Sequence, residues 1–202
     1  MGKYQNKYRI DSSRARWWDY GWNGAYFITI CTRDREHFFG EIENEKMVLN
    51  PLGAIAYVLW HEIPHRMKYV ELGEFVVMPN HIHGILIIVK PGVETLHATS
   101  LQKQKSHLQQ QPNSRTIPSS KYPEIKNEKM AAISPKSNSV STIIRSYKSA
   151  VSRYAGRLGL QNGWQTRFHD HIIRSDADYE RISNYIINNP KSWGEDKLNV
   201  KK

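Results

Sequence analysis

Residues 75–89 read Phe75-Val-Val-Met-Pro-Asn-His-Ile-His-Gly-Ile-Leu-Ile-Ile-Val89. Two apolar, β-branched runs flank a short polar insert, with a turn expected at Pro79-Asn80 and His81 and His83 directly after it. The run from Ile85 to Val89 is Ile, Leu and Val throughout, which predicts a buried strand. Residues i and i+2 of a strand point to one face, about 6.5–7 Å apart at Cα. His81 and His83 are therefore expected side by side, with Ile82 turned into the opposite face. Two neutral imidazoles so placed can hold one divalent ion between them. The plain alternative is a pair of partly exposed histidines beside a turn.

Working upstream, Tyr69 to Met78 supplies the strand before the insert. Asn50-Pro51 is a helix start, Asn at the N-cap and Pro at the first helical position. Leu52, Ile55, Ala56, Leu59 and Ile63 then recur at helical spacing. Ala25 to Thr32 is a strand by its β-branched and aromatic content. The segment Gly40 to Leu49 is expected to return antiparallel to it. Residues 1–24 form a basic, aromatic arm in which Arg14 and Arg16 stand among Tyr and Trp.

Downstream, residues 91–138 are dominated by Gln, Ser, Lys, Asn and Pro without periodicity. Such a stretch buries too little apolar surface to offset its conformational entropy, so a disordered insertion is expected. Val140, Ile143, Ile144, Tyr147, Val151, Tyr154, Ala155 and Leu158 match one helical face, with Arg145, Lys148, Arg153 and Arg157 on the others. Trp164 to Arg174 reads as extended, with His169 and His171 again at i, i+2. Ser175 caps a last helix, with Asp176 and Asp178 in its positively polarised first turn. Tyr185 and Asn189 lie one turn apart on that helix, which ends before Pro190. Residue types alone make both of these packing or capping residues more often than chemical ones. The expected organisation is an arm over 1–24, one α+β domain over 25–194 and a tail over 195–202.

Composition points to a partner class. The chain has 202 residues, 39% of them hydrophobic, and a formal charge of +10, which favours a polyanion such as nucleic acid. Six Trp and eleven Tyr add stacking faces to the core mass. No apolar run approaches the ~20 residues of a membrane span. No apolar stretch follows the basic N-terminus, and Asn6 stands where myristoylation needs Ser or Thr, so neither a secretory signal nor that anchor is expected. Cys31 is the single cysteine, which suits a reducing cytoplasm and cannot build a thiolate metal cluster.

The series of motifs is similar to that of the single-tyrosine HUH transposases, the IS200/IS605-like enzymes and the REP-associated tyrosine transposases. His81-Ile82-His83 heading an apolar strand resembles the HUH motif itself. Trp164-Gln165, Arg167-Phe168, Asp170-His171 and Ile173-Arg174 resemble the segment that precedes the tyrosine helix in the REP-associated branch, where that helix likewise ends in Asn-Pro. The match spans 25–90 and 139–194. It departs from the pattern in the long 91–138 insertion, and in Asn189, which stands where the IS200/IS605-like branch has Gln.

This resemblance implies a ferredoxin-like palm, an antiparallel sheet with helices packed on it and the histidines on a central strand. It implies Tyr185 as nucleophile, His81, His83 and Asn189 as ligands of Mg²⁺ or Mn²⁺, and His171 and Gln165 as residues orienting substrate or the metal site. The activity implied is cleavage and rejoining of single-stranded or hairpin DNA through a 5′-phosphotyrosine. Arg14, Arg16, Arg145, Lys148, Arg153, Arg167 and Arg174 are the candidate DNA contacts. No membrane partner is implied, and a homodimer is among the assemblies open to the chain. The alternative is a non-catalytic binder of hairpin DNA or structured RNA. A HUH replication initiator is disfavoured by the short chain, and a zinc hydrolase by the lack of an acidic ligand at helical spacing from the histidine pair.

Overall fold

The computed structural model describes residues 18–91 and 138–199, together with the backbone of a short N-terminal hairpin, β1 (Lys3–Tyr4) and β2 (Lys7–Tyr8). All but the two end residues of the expected 91–138 insertion, and most of the 1–24 arm, Arg14 and Arg16 included, lie outside the described residues. The order that follows is β3 (Gly24–Cys31), β4 (Gly40–Glu43), β5 (Lys46–Leu49), α1 (Pro51–His61), α2 (Ile63–Arg66), β6 (Val70–Met78) and β7 (His81–Ile88). The chain is completed by α3 (Val140–Arg157), β8 (His169–Ile173) and α4 (Asp176–Asn188).

Four strands form one antiparallel sheet in the order β6-β7-β3-β8. Helix α1 leads from β3 to the β6–β7 hairpin, and α3 precedes β8, so the sheet and its two helices follow a β-α-β-β-α-β course. This is the ferredoxin-like split βαβ arrangement. It is an α+β fold, and the histidine strand β7 is central in it.

Alternation along the strands sorts the residues by face. Tyr26, Ile28 and Ile30 of β3 and Ile82, Leu86 and Ile88 of β7 are buried against α1 and α3. Asn50 opens α1: its Oδ1 accepts from the Gly53 amide at 2.9 Å, and its Nδ2 donates to the Phe38 carbonyl at 2.9 Å. Leu52, Ala56, Leu59 and Trp60 form the buried side of that helix. Trp60 lies flat on Phe75, centroids 4.7 Å apart and planes 9° apart. The ring fits because Gly84 lies beneath it; a Cβ there would come within 2.4 Å of Trp60 Cζ2. The buried Tyr147 hydroxyl ties α3 to α1 by donating to the Ala56 carbonyl at 2.8 Å.

The other face of the sheet is covered by α4, whose Ile182 and Ile186 pack on Ile85. That helix is laid across β6 and β7, and Tyr179 sits over Gly73. The Gly40–Leu49 segment departs from expectation. It pairs within itself, Gly40 opposite Leu49 and Glu43 opposite Lys46, rather than with β3. Asn44 and Glu45 take positive φ (48° and 62°), the conformation of a tight hairpin turn. Both edges of β3 are meanwhile taken by β7 and β8, so no edge remains for a further partner.

Candidate functional site

Strand register fixes the floor of the site. Cys31 is opposite His81, and Thr29 is opposite both His83 and His169. Directly opposed residues share a face. Across β7, β3 and β8 this gives a row His83–Thr29–His169 under α4. The neighbouring row, Ile85–Phe27–His171, holds the histidine named from sequence. His81 and His83 are 0% and 3% exposed, with ring centroids 4.5 Å apart.

Burial sets the charge of both rings. Desolvation pushes the His81 pKa down to about 3, with the Arg35 guanidinium adding to the effect and Asn189 opposing it. His83 is held well below the ordinary range, again by burial first and then by His81. Both are neutral at pH 7 and each carries one lone pair.

The hydrogen bonds decide which nitrogen carries it. Asn80 is fully buried, and its Nδ2 donates to the carbonyls of Leu198 at 2.8 Å and Arg35 at 3.3 Å. Its Oδ1 is therefore an acceptor, and His81 Nδ1, 2.8 Å away, must carry the hydrogen. The lone pair is then on His81 Nε2, which is buried and has no hydrogen-bond partner. His83 Nδ1 meets Thr29 Oγ1 at 2.9 Å, and its Nε2 faces the Tyr185 hydroxyl at 3.3 Å.

Tyr185 reaches this point from α4, 102 residues along the chain. Its ring lies edge-on to His83 and to Phe27, at 5.2 and 6.1 Å between centroids. Burial of the phenol raises its pKa, and Asp196 raises it further against a lowering by Asn189. Asn189, one turn on, is 2% exposed. Its Nδ2 donates to Asp196 Oδ2 at 3.3 Å, which leaves the buried Oδ1 without a partner. The amide is oriented by its neighbour, because a carboxylate only accepts.

Asp196 was not among the sequence candidates. It comes from beyond the helix, after Pro190 and a 3₁₀ turn at Trp193–Glu195, so no helical spacing could relate it to the histidines. Its Oδ2 is 3.9 Å from His81 Nε2. With His81 neutral this is no ion pair but two donor atoms facing a shared space. Ligand atoms of His81, His83 and Asp196 all lie within 4.8 Å of one another, about twice a metal–ligand bond of ~2.1–2.2 Å. Two orphaned buried acceptors, a carboxylate and neutral imidazoles make a donor set that fits a divalent ion. The 195–199 stretch is thus built into the site, with the Leu198 carbonyl held by Asn80.

The remaining candidates divide. His171 is about half exposed, and its Nε2 is 3.0 Å from Asp178 Oδ2 on α4, a carboxylate that Arg181 also holds. That triad joins β8 to α4 rather than facing the ligand atoms. His169, in the row with His83, is the β8 histidine nearer to the centre. Gln165 is placed by its backbone N–H, which donates to the Cys31 carbonyl at 3.0 Å. Arg145, Lys148 and Arg167 line one groove between α3 and residues 164–168. Arg153 turns its guanidinium over Tyr154 instead, 5.9 Å from the ring centroid, and Arg174 is exposed just past β8.

The four-stranded antiparallel sheet is a ferredoxin-like α+β fold that sets paired histidines on a central strand, with α4 bringing a tyrosine over them. The chain belongs to one family with an uncharacterized protein of Haemophilus influenzae strain Rd, to which it is 35% identical over 190 residues, 94% of this chain and 92% of the relative. No protein-family model matches the sequence. Among solved structures, a REP-associated tyrosine transposase bound to a REP hairpin superposes with a TM-score of 0.50 at 19% identity, covering 93% of this chain and 77% of that one. This likeness is one of fold. A candidate transposase from Deinococcus radiodurans R1 aligns with a TM-score of 0.41 at 13% identity, over 88% of this chain and 97% of that one.

Proposed function

We propose that this chain cleaves and rejoins single-stranded DNA at hairpins through a 5′-phosphotyrosine on Tyr185. The observation that carries the reading is the Tyr185 hydroxyl 3.3 Å from His83 Nε2, beside the unpartnered His81 Nε2 and Asn189 Oδ1. Packing alone gives no reason to aim a phenol and two orphaned acceptors at one point.

His81, His83 and Asn189, joined by Asp196, would hold Mg²⁺ or Mn²⁺, which when bound polarises a DNA phosphate and neutralises charge developing on it. Asn80 keeps the Nδ1 hydrogen of His81 in place, so that its Nε2 is a lone pair, and with the Thr29 hydroxyl accepting from Nδ1, His83 would present its own Nε2 lone pair. Tyr185 Oη attacks phosphorus in line with the departing 3′ oxygen. The bond from phosphorus to that oxygen breaks, the phenol proton ends on the freed 3′-OH, and the 5′ phosphate remains esterified to Tyr185. Attack by another 3′-OH reverses the step and restores the phenol, so strands are rejoined without ATP. The raised pKa of Tyr185 means that its ionisation depends on positive charge beside the oxygen. The catalytic unit is the 25–194 domain with Asp196 added from the 195–202 segment. A DNA substrate and a lone, reduced Cys31 fit the cytoplasm.

The test is incubation with Mn²⁺ and a pool of 3′-end-labelled oligonucleotides carrying a fixed hairpin and randomised single-stranded flanks, followed by denaturing electrophoresis. A labelled covalent adduct that needs Mn²⁺ and is lost in Tyr185→Phe is expected. Hairpin binding without any adduct would favour a non-catalytic binder and sink the proposal.

A further inference from the structure

We infer that the groove between α3 and residues 164–168 carries the phosphate backbone of single-stranded DNA, on the side of the sheet away from His81 and His83. The naming of DNA rests on the function proposed above; the anion site itself rests on the groove.

The cavity has a volume of about 570 Å³, the size of a site for a few nucleotides of one strand rather than a duplex. Arg145, Lys148, Ser149 and Ser152 line it from α3, and Arg167 lines it from the facing segment. On the helix these positions are i, i+3, i+4 and i+7, one continuous face about 10 Å long. That length matches roughly three nucleotides of a stacked strand at ~3.4 Å each. Guanidinium groups offer forked donors to phosphate oxygens, and serine hydroxyls add neutral ones. None of the described residues lining the groove is acidic.

The walls are built, not merely adjacent. Lys148 Nζ donates to the Gln165 carbonyl at 2.6 Å, and Trp164 Nε1 donates to the Lys148 carbonyl at 3.2 Å. The facing segment is itself anchored to the sheet, since Trp164 bridges Thr32 and the Gln165 backbone N–H bonds to Cys31. Lys148 keeps two further N–H donors after its bond to Gln165.

The groove also leads to the candidate site. Arg167 is two residues before His169 on the edge strand β8, and His169 stands in the row that ends at His83. A strand leaving the groove at Arg167 needs only to round that edge to reach the histidine face. Backbone is gripped behind the sheet and a phosphate is presented in front of it.

The test uses the full chain in chelator, with fluorescence anisotropy of a labelled 12-nucleotide oligo(dT) over a range of salt. Arg145→Ala/Arg167→Ala should weaken binding about tenfold or more and lower the salt slope by about 1.4, at ~0.7 per lost phosphate contact on a single strand. Lys46→Ala/Lys68→Ala removes the same charge from exposed sites elsewhere, and should change the Kd less than twofold. Unchanged binding in the groove pair would overturn the inference. So would an equal loss in the control pair, no binding of the oligonucleotide by the wild-type chain, or equally tight binding of a polyglutamate of matched charge. No metal or cleavage enters this measurement, so groove binding without a covalent adduct would sink the strand-transfer reading and leave the groove standing.

Discussion

Replacing Asn80 by Ala is the sharpest probe of how the site is set. The side chain is fully buried and makes two strong hydrogen bonds, from His81 Nδ1 at 2.8 Å and to the Leu198 carbonyl at 2.8 Å, with a weaker one to Arg35 at 3.3 Å. Each good bond contributes about 1 kcal/mol, and a buried His81 N–H left without a partner costs about 1–3 kcal/mol more. The sum is roughly 3–5 kcal/mol, or a fall in Tm of about 6–20 °C for a chain of this size. Asn80→Ala also releases the tautomer. With nothing to accept from Nδ1, the hydrogen can move to Nε2 and remove the lone pair a metal needs. Mn²⁺ affinity should therefore fall about 10- to 100-fold, as when an outer partner of a ligating histidine is lost. Melting in chelator and Mn²⁺ titration calorimetry read the two effects separately. Affinity within twofold of wild type, alongside a lowered Tm, would refute the tautomer argument and leave Asn80 a purely structural residue.

Tyr185→Phe should melt within about 1 kcal/mol of wild type, because it removes only one long hydrogen bond from a half-exposed ring, yet it should form no adduct. Tyr179→Phe should stay active in the same gel assay, since that hydroxyl packs over Gly73; the reverse pattern would transfer the nucleophile to Tyr179. Gly84→Ala should be destabilised by about 1–3 kcal/mol in urea melts, its Cβ being forced to within 2.4 Å of Trp60. An unchanged midpoint would mean that Trp60 moves freely. In chelator, stability should decline on acidification from about pH 6.5, where unfolded histidines begin to bind protons, towards about 3, where the buried His81 follows. The unfolded state binds more protons throughout that window, so stability rises with pH across it and is complete above it. Urea midpoints equal at pH 7.5 and 5 would count against neutral buried histidines.

Much of this was legible locally. Strand alternation placed His81 and His83 on one face, Asn50 and Ser175 marked their helices by capping chemistry, and the helical repeat put Tyr185 one turn from Asn189. These are properties of neighbouring residues, and period and capping depend on nothing further away. The mispaired segment at Gly40–Leu49 shows the limit. Its strand content was readable, but its partner depended on which edges of β3 were already occupied. In the same way, i, i+2 spacing could not say whether His169 or His171 would stand beside His83, because cross-strand register is set by pairing.

What only tertiary structure decided is the convergence itself. Tyr185 meets His83 across 102 residues because Ile182 and Ile186 press α4 onto Ile85. Asp196 joins the ligand atoms because the chain turns back after Pro190, with the Leu198 carbonyl held by Asn80. Asn80 looked from sequence like a turn residue, and burial made it the group that orients His81. Such relations come from three-dimensional packing and from the need to satisfy every buried polar atom, and neither leaves a period in the sequence.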